Sequence, residues 1–141
     1  MRSPPCMAST ACIAIHATVM TVVVRVAPGI AGHFASRPAV LLTTTTIGTV
    51  VILMLAHMME VAVWAVTYAI VSAAPDEADV LYFAFVNYTT LGYGDIVPIS
   101  PWRILGPVAA MNGILLFGWS TAVIYEILRT VHERSENPSS A

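Results

Sequence analysis

From Val80 to Asp95 the chain reads VLYFAFVNYTTLGYGD. Its first part, Val80 to Leu91, is apolar but short. As a helix a dozen residues reach about 18 Å, whereas the hydrocarbon core of a bilayer is about 30 Å thick. Such a run makes a buried, interfacial or re-entrant helix and not a span. The second part sets Gly92 and Gly94 around Tyr93, and glycine takes positive φ without penalty. On either side lie segments long enough to cross a membrane, Ile47 to Ala74 and Ile104 to about Leu128; crossing takes about 20 apolar residues. A half-length helix and a glycine-rich loop between two full-length helices define the expected fold, an all-α membrane protein.

A third long segment, Cys6 to Ala27, precedes these and carries His16 and Arg25. It reads as one extra transmembrane helix, retained in the mature chain. The alternative is a cleaved signal peptide, with Arg2 before an apolar stretch and a small-x-small site at Gly29–Ile30–Ala31, but the stretch is long for that purpose. Pro28–Gly29 and Arg37–Pro38 punctuate the link to the next helix. Pro75 with Asp76, Glu77 and Asp79 has the form of a helix start, because acids there complement the dipole. The residues from Glu133 onward are polar and are expected to fray.

Composition agrees with a membrane location. Of 141 residues 57% are hydrophobic and only 10% are charged, with a formal net charge of −2. An average soluble domain has about 25% charged residues. Six arginines and no lysine leave no basic stripe for nucleic acid. Cys6 and Cys12 lie in one apolar segment, where small buried thiols are expected and a disulfide within one helix is geometrically unfavourable. No segment has Arg or Lys at every third position, as a voltage-sensing helix would. No nucleophile–base pair or metal-ligand spacing stands out, so no enzyme is expected. Arg25 and Arg37 flank the first loop and Arg129 and Arg134 follow the last helix. If the short run is re-entrant these share one side, which the positive-inside rule makes cytoplasmic.

The heptapeptide Thr89–Thr90–Leu91–Gly92–Tyr93–Gly94–Asp95 closely resembles the selectivity-filter motif of potassium channels. With Pro98, Trp102–Arg103, Gly113–Ile114 and Phe117–Gly118, the stretch from about Glu77 to Ile127 is similar to the bacterial ion channel 2 type pore domain. The resemblance implies a homotetramer in a bacterial inner membrane, C-terminus cytoplasmic, conducting K+ passively. It implies an N-terminal transmembrane helix and cytoplasmic linker over 1–45 and a pore domain over 46–128. That domain divides into outer helix 47–74, re-entrant pore helix 78–89, filter 90–94 and inner helix 103–128, with a cytoplasmic tail over 129–141. Backbone carbonyls of Thr90, Leu91, Gly92 and Tyr93, with the Thr90 hydroxyl, would replace the water of a potassium ion. Gly92 and Gly94 would supply the alternating backbone handedness this needs. Asp95 would concentrate cations at the outer mouth. No cofactor is implied beyond the permeant ion, and no nucleic acid or small-molecule substrate. The alternatives are a weakly selective cation channel and a non-conducting regulatory membrane subunit.

By the same resemblance Ile114, Phe117, Thr121 and Tyr125, spaced to share one helix face, line a central cavity. Gly113 and Gly118 are read as hinges or as small residues for close packing. Many family members carry a pore-helix acid that pairs with the outer-mouth Asp. The matching residue here is Val86, so Asp95 needs another partner, Trp102 or a tyrosine. Glu126 and Arg129 are read as a local or intersubunit pair, or as a solvated one. His57 and Glu60 stand out in the second long helix, since an acid at a membrane centre costs at least about 2.5–3.5 kcal/mol. They are expected to face protein as a polar anchor, with proton sensing as the alternative. Glu60 would be protonated, or held by His57, His16 or a pore-helix group such as Asn87.

Overall fold

The computed structural model describes residues 4–31, 38–75 and 78–136. Arg2, Arg37, Asp76 and Glu77 lie outside these residues, as does the chain end from 137. Four α-helices follow in order: α1 (Pro4–Ala31), α2 (Pro38–Ile70), the short α3 (Val80–Tyr88) and α4 (Leu105–Glu136). One turn of 3-10 helix, Trp102–Ile104, leads into α4. Three stretches, Pro4–Val26, Val40–Ile70 and Trp102–Glu133, are long and apolar enough to cross a membrane. α3 is not. The protein is a multi-pass, all-α membrane protein.

The long helices overrun the segments read from the sequence at several ends. α1 continues through Pro28–Gly29 to Ala31, and α2 already begins at Pro38, so the link between them is shorter than expected. The threonines at the start of α2 do not break it. Thr44 and Thr46 return their hydroxyls to the carbonyls of Val40 and Leu42, which satisfies them without competing for the helix's own bonds. α4 likewise extends past Leu128 to Glu136, so the residues just after Glu133, expected to fray, are helical.

At its far end α2 stops at Ile70, short of Ala74, for a backbone reason. Ser72 has φ 51°. The Ala73 amide bonds the Tyr68 carbonyl at 2.9 Å and the Ser72 amide bonds Ala69 at 3.2 Å. These are the paired bonds of a Schellman cap, with serine in the left-handed position that glycine usually fills. α3 begins at Asp79, whose carboxylate accepts from the amides of Leu81 and Tyr82 at 3.0 and 3.1 Å. Of the acids that suggested a helix start, Asp79 is the one that caps it.

Two apolar clusters fix the arrangement. In one, Ala8 and Cys12 of α1 meet Trp64 and Tyr68 of α2, Phe83 and Tyr88 of α3, and Leu105 and Ala109 of α4. In the other, Met20 and Val23 meet Leu41 and Leu53 of α2 and Val123, Ile127 and Val131 of α4. α1 and α4 therefore run parallel, with α2 antiparallel to both. The end of α1, the start of α2 and the end of α4 lie together, opposite α3 and its loop. Cys12 is buried in the first cluster, but Cys6 is exposed. Six residues turn a helix so that the two thiols point about 120° apart, and one neighbouring surface cannot cover both.

Candidate functional site

The segment after α3 departs from helix in a regular way. Thr90 has φ 60°, Gly92 58° and Gly94 78°, while Leu91 and Tyr93 between them stay at negative φ. Thr90 starts the pattern by ending α3. Its amide bonds the Asn87 carbonyl at 3.1 Å, and the Leu91 amide reaches Val86 at 3.0 Å, a second Schellman cap. A β-branched residue at positive φ is a genuine outlier. Such strain persists where the surrounding structure over-determines it, and it clusters at functional sites. The sequence pointed to Gly92 and Gly94 for this conformation; nothing in it marked Thr90.

The loop beyond is tied down at both sides. Asp95 accepts a hydrogen bond from the Tyr82 hydroxyl at 2.6 Å and one from the Ile96 amide at 3.0 Å. Tyr82 lies one helical turn before Val86, so the two share a face of α3. Of the two partners expected for Asp95, the tyrosine is present and Trp102 is not bonded to it. The Tyr82 hydroxyl holds the Asp95 carboxyl below its ordinary value, and the carboxylate in turn pushes the tyrosine up. Further on, the Ile99 amide bonds the Ala73 carbonyl at 3.0 Å, joining the loop to the end of α2.

α4 presents a stripe to the protein interior: Leu105, Ala109, Asn112, Leu116, Ser120, Val123, Ile127 and Val131. Ile114, Phe117, Thr121 and Tyr125 all lie outside it and are exposed on the single chain. The two glycines of this helix have different surroundings. A Cβ at Gly113 would fall far inside 3.0 Å of the Tyr88 carbonyl oxygen and 3.1 Å from its carbon, whereas one at Gly118 would meet nothing within 4 Å. α3 therefore rests its last turn directly on Gly113. A third close approach went unread in the sequence: Gly106, where a Cβ would lie 2.8 Å from the Asn87 side-chain oxygen. Also unread was the Trp64 indole, which donates to Asn112 at 3.2 Å within the core. Arg129 bonds Glu133 at 2.8 Å, not Glu126, and both are exposed.

His57 and Glu60 meet in a polar cluster at the centre of the bundle. His16 Nδ1 lies 2.7 Å from one Glu60 oxygen and His57 Nδ1 lies 2.9 Å from the other. The Tyr88 hydroxyl donates to that second oxygen. On the far side of the rings, Ser120 Oγ lies 3.0 Å from His57 Nε2 and 3.2 Å from His16 Nε2. Glu60 and His16 are fully buried, and His57 is 7% exposed. Phe117 covers His57 with ring centroids 4.4 Å apart. Asn87 takes no part; its amide donates to the Phe83 carbonyl at 2.8 Å. The spacing of His57 and Glu60 made their pairing legible, but Tyr88 and Ser120 were not, because each looks like an ordinary residue of its own helix.

A short non-spanning helix and a loop of alternating handedness between two long apolar helices are consistent with the outer-helix, pore-helix and inner-helix topology of a channel. The family model described as Ion channel matches residues 39–130, and the chain belongs to that family, which is not one of enzymes. Among curated proteins it is similar to the potassium voltage-gated channel protein shk-1 of Caenorhabditis elegans, 41% identical over 44 residues. It is also similar to the voltage-gated potassium channel regulatory subunit KCNG3 of mouse and of human, 39% identical over 54 residues. These matches cover 30% of this chain and 8% of shk-1, and 37% of this chain and 12% of KCNG3. No solved structure matches the chain at comparable stringency.

Proposed function

We propose that the chain is one subunit of a homotetrameric, potassium-selective channel. The observation that carries this reading is the alternation of backbone handedness over Thr90, Gly92 and Gly94, at the C-terminal end of a helix too short to cross. Alternation of this kind turns successive carbonyls to one side of a strand. Four such strands about an axis give a closed ring, in which Thr90, Leu91, Gly92 and Tyr93 offer oxygens in place of water. Leu91 and Tyr93 are exposed on the single chain, at 52% and 69%, as expected for side chains that pack against neighbouring subunits. The C-terminal end of α3 carries the negative end of its dipole, which favours a cation beside Thr90.

In this reading Asp95, held by Tyr82, stands at the outer mouth. The exposed face with Ile114, Phe117, Thr121 and Tyr125 lines the cavity. Gly113 serves as the seat of α3, and Gly118, with open space around it, is the freer place for α4 to bend. The ends that bear Arg25 and Arg129 are cytoplasmic, in a bacterial inner membrane.

A second reading keeps the architecture but not the current: a pore subunit that conducts only with a partner. It is supported by the name of one relative, a regulatory subunit. Reversal potential decides. With potassium on one side of a planar bilayer and sodium on the other, purified protein is expected to reverse near the potassium equilibrium value. Reversal near zero refutes selectivity and leaves a nonselective cation channel. Absence of current at every voltage favours the second reading.

A further inference from the structure

We infer that the central polar cluster is a binding site for one divalent transition-metal ion of the zinc type, ligated by His16, His57 and Glu60. This inference does not depend on whether the chain conducts potassium. The three side chains each place a ligand atom within 4.8 Å of the others, and all three are buried. Two imidazole nitrogens and a carboxylate are a recurrent three-ligand set for zinc, with a fourth place left for an oxygen. The Tyr88 hydroxyl already touches the Glu60 oxygen nearest His57 and stands ready for that fourth place.

A cation fits the hydrogen bonds of the cluster. The contacts of Glu60 with the two Nδ1 atoms can be closed by hydrogens or by a cation between them, and His57 Nδ1 also lies 3.0 Å from the Tyr88 hydroxyl. With a cation on the Nδ1 side, the far nitrogens are satisfied together by Ser120. Each Nδ1 gives its lone pair to the metal, each Nε2 keeps a hydrogen, and the serine oxygen accepts from both. A residue that accepts from the far nitrogen of a ligating histidine fixes its tautomer and orientation; here one serine does this for two histidines. The ion also neutralises a carboxylate buried at the middle of a spanning helix, where no lysine or arginine reaches it among the described residues. Of the three ligands only His57 is accessible at all, at 7%, and the Phe117 ring packs against it.

The test uses the detergent-purified full chain, stripped with chelator and titrated with Co2+ and with Zn2+. Expected are about one bound ion per chain, a visible d–d spectrum of four-coordinate Co2+, and displacement of that spectrum by Zn2+. His16→Gln and Glu60→Gln are expected to abolish the spectrum, and Ser120→Ala to weaken binding by about 10- to 100-fold. No spectrum and no retained metal in the wild-type chain overturns the proposal. Binding that is unchanged in His16→Gln and Glu60→Gln also overturns it. If those variants fail to fold, X-ray absorption on the wild-type zinc form decides between two-imidazole ligation, as expected, and its absence, which refutes.

Discussion

Gly113 and Gly118 sit five residues apart on α4 and are chemically identical, yet alanine is expected to act on them in opposite directions. At Gly113 an added methyl meets the Tyr88 carbonyl group well inside 3.0 Å, with the Tyr88 ring at 3.4 Å behind it. The partner is backbone at the end of a helix, so no side chain can swing away. α3 and α4 must separate by about an ångström, and close-packed interiors give little. Overpacking of this kind costs about 1–3 kcal/mol, occasionally more. At Gly118 the space is open, and replacing glycine by alanine within a helix favours the helix by up to about 1 kcal/mol. Denaturant unfolding of the two variants in detergent micelles reads the difference directly. Both variants gain the same helix propensity, so Gly113→Ala is expected to be the less stable by its overpacking cost, about 1–3 kcal/mol. Because Tyr88 precedes Thr89 and Thr90, its displacement is also expected to move the reversal potential away from that of potassium. Equal stability of the two variants, with the same reversal potential, would refute the packing of α3 on Gly113.

Three further outcomes follow from the same geometry. Gly92→Ala adds a methyl 3.8 Å from the Thr90 carbonyl oxygen, so space is not the obstacle; the left-handed backbone at φ 58° costs a non-glycine residue about 1–2 kcal/mol. Reduced selectivity with an intact fold by circular dichroism is expected, and wild-type selectivity would count against the strand. Asp95, whose carboxyl is held low by Tyr82, contributes fully above its ordinary value of 3.8 and loses that contribution as pH falls through the lowered folded value. Tyr82→Phe is expected to move the loss upward toward the ordinary value in a carboxyl-carbon NMR titration, and an unmoved midpoint contradicts the bond. Asn112→Leu strands the buried Trp64 indole N–H, at a cost of about 1–3 kcal/mol. Trp64→Phe combined with Asn112→Leu is expected to cost less than the two single changes added, and strict additivity in the double-mutant cycle would mean that the two side chains do not interact.

The helices were legible because their signal is length and apolarity, which no packing detail overrides. Their ends were not. Pro28–Gly29 looked like a break and is helix, while α2 ends at a left-handed Ser72, a conformation that its residue type does not announce. Caps depend on which residue takes the left-handed conformation, and glycine is only the commonest choice. The same blindness hid Thr90, a threonine in a glycine's conformation. Side-chain partners were legible where spacing or chemistry narrowed the choice: His57 with Glu60 is an i, i+3 pair, and His16 and a tyrosine stood among the partners expected for Glu60 and Asp95. Trp64 with Asn112 and Ser120 with both histidines are contacts between elements, and their distance in sequence says nothing of their distance in space.

The family match begins at residue 39, so α1 stands outside the part shared with other channels, but it is not an appendage. Ala8 and Cys12 complete the cluster around α3, and Met20 and Val23 complete the one at the opposite end. Between them, at the level of the polar cluster, His16 supplies one of the three groups that bond Glu60. The other two, His57 and Tyr88, come from α2 and from the last residue of α3. A shift of α1 along its axis therefore cannot occur without breaking the bond from His16 to Glu60. Glu60 holds Tyr88, and Tyr88 rests its carbonyl on Gly113 two residues before the strained Thr90. The polar groups join all four helices at this level, and apolar contacts alone would let the helices slide. The sequence places its most costly residue for a membrane, a buried carboxylate, where one side chain can fix the register of α1, α2 and α3 together, with Ser120 linking α4 through the two histidines.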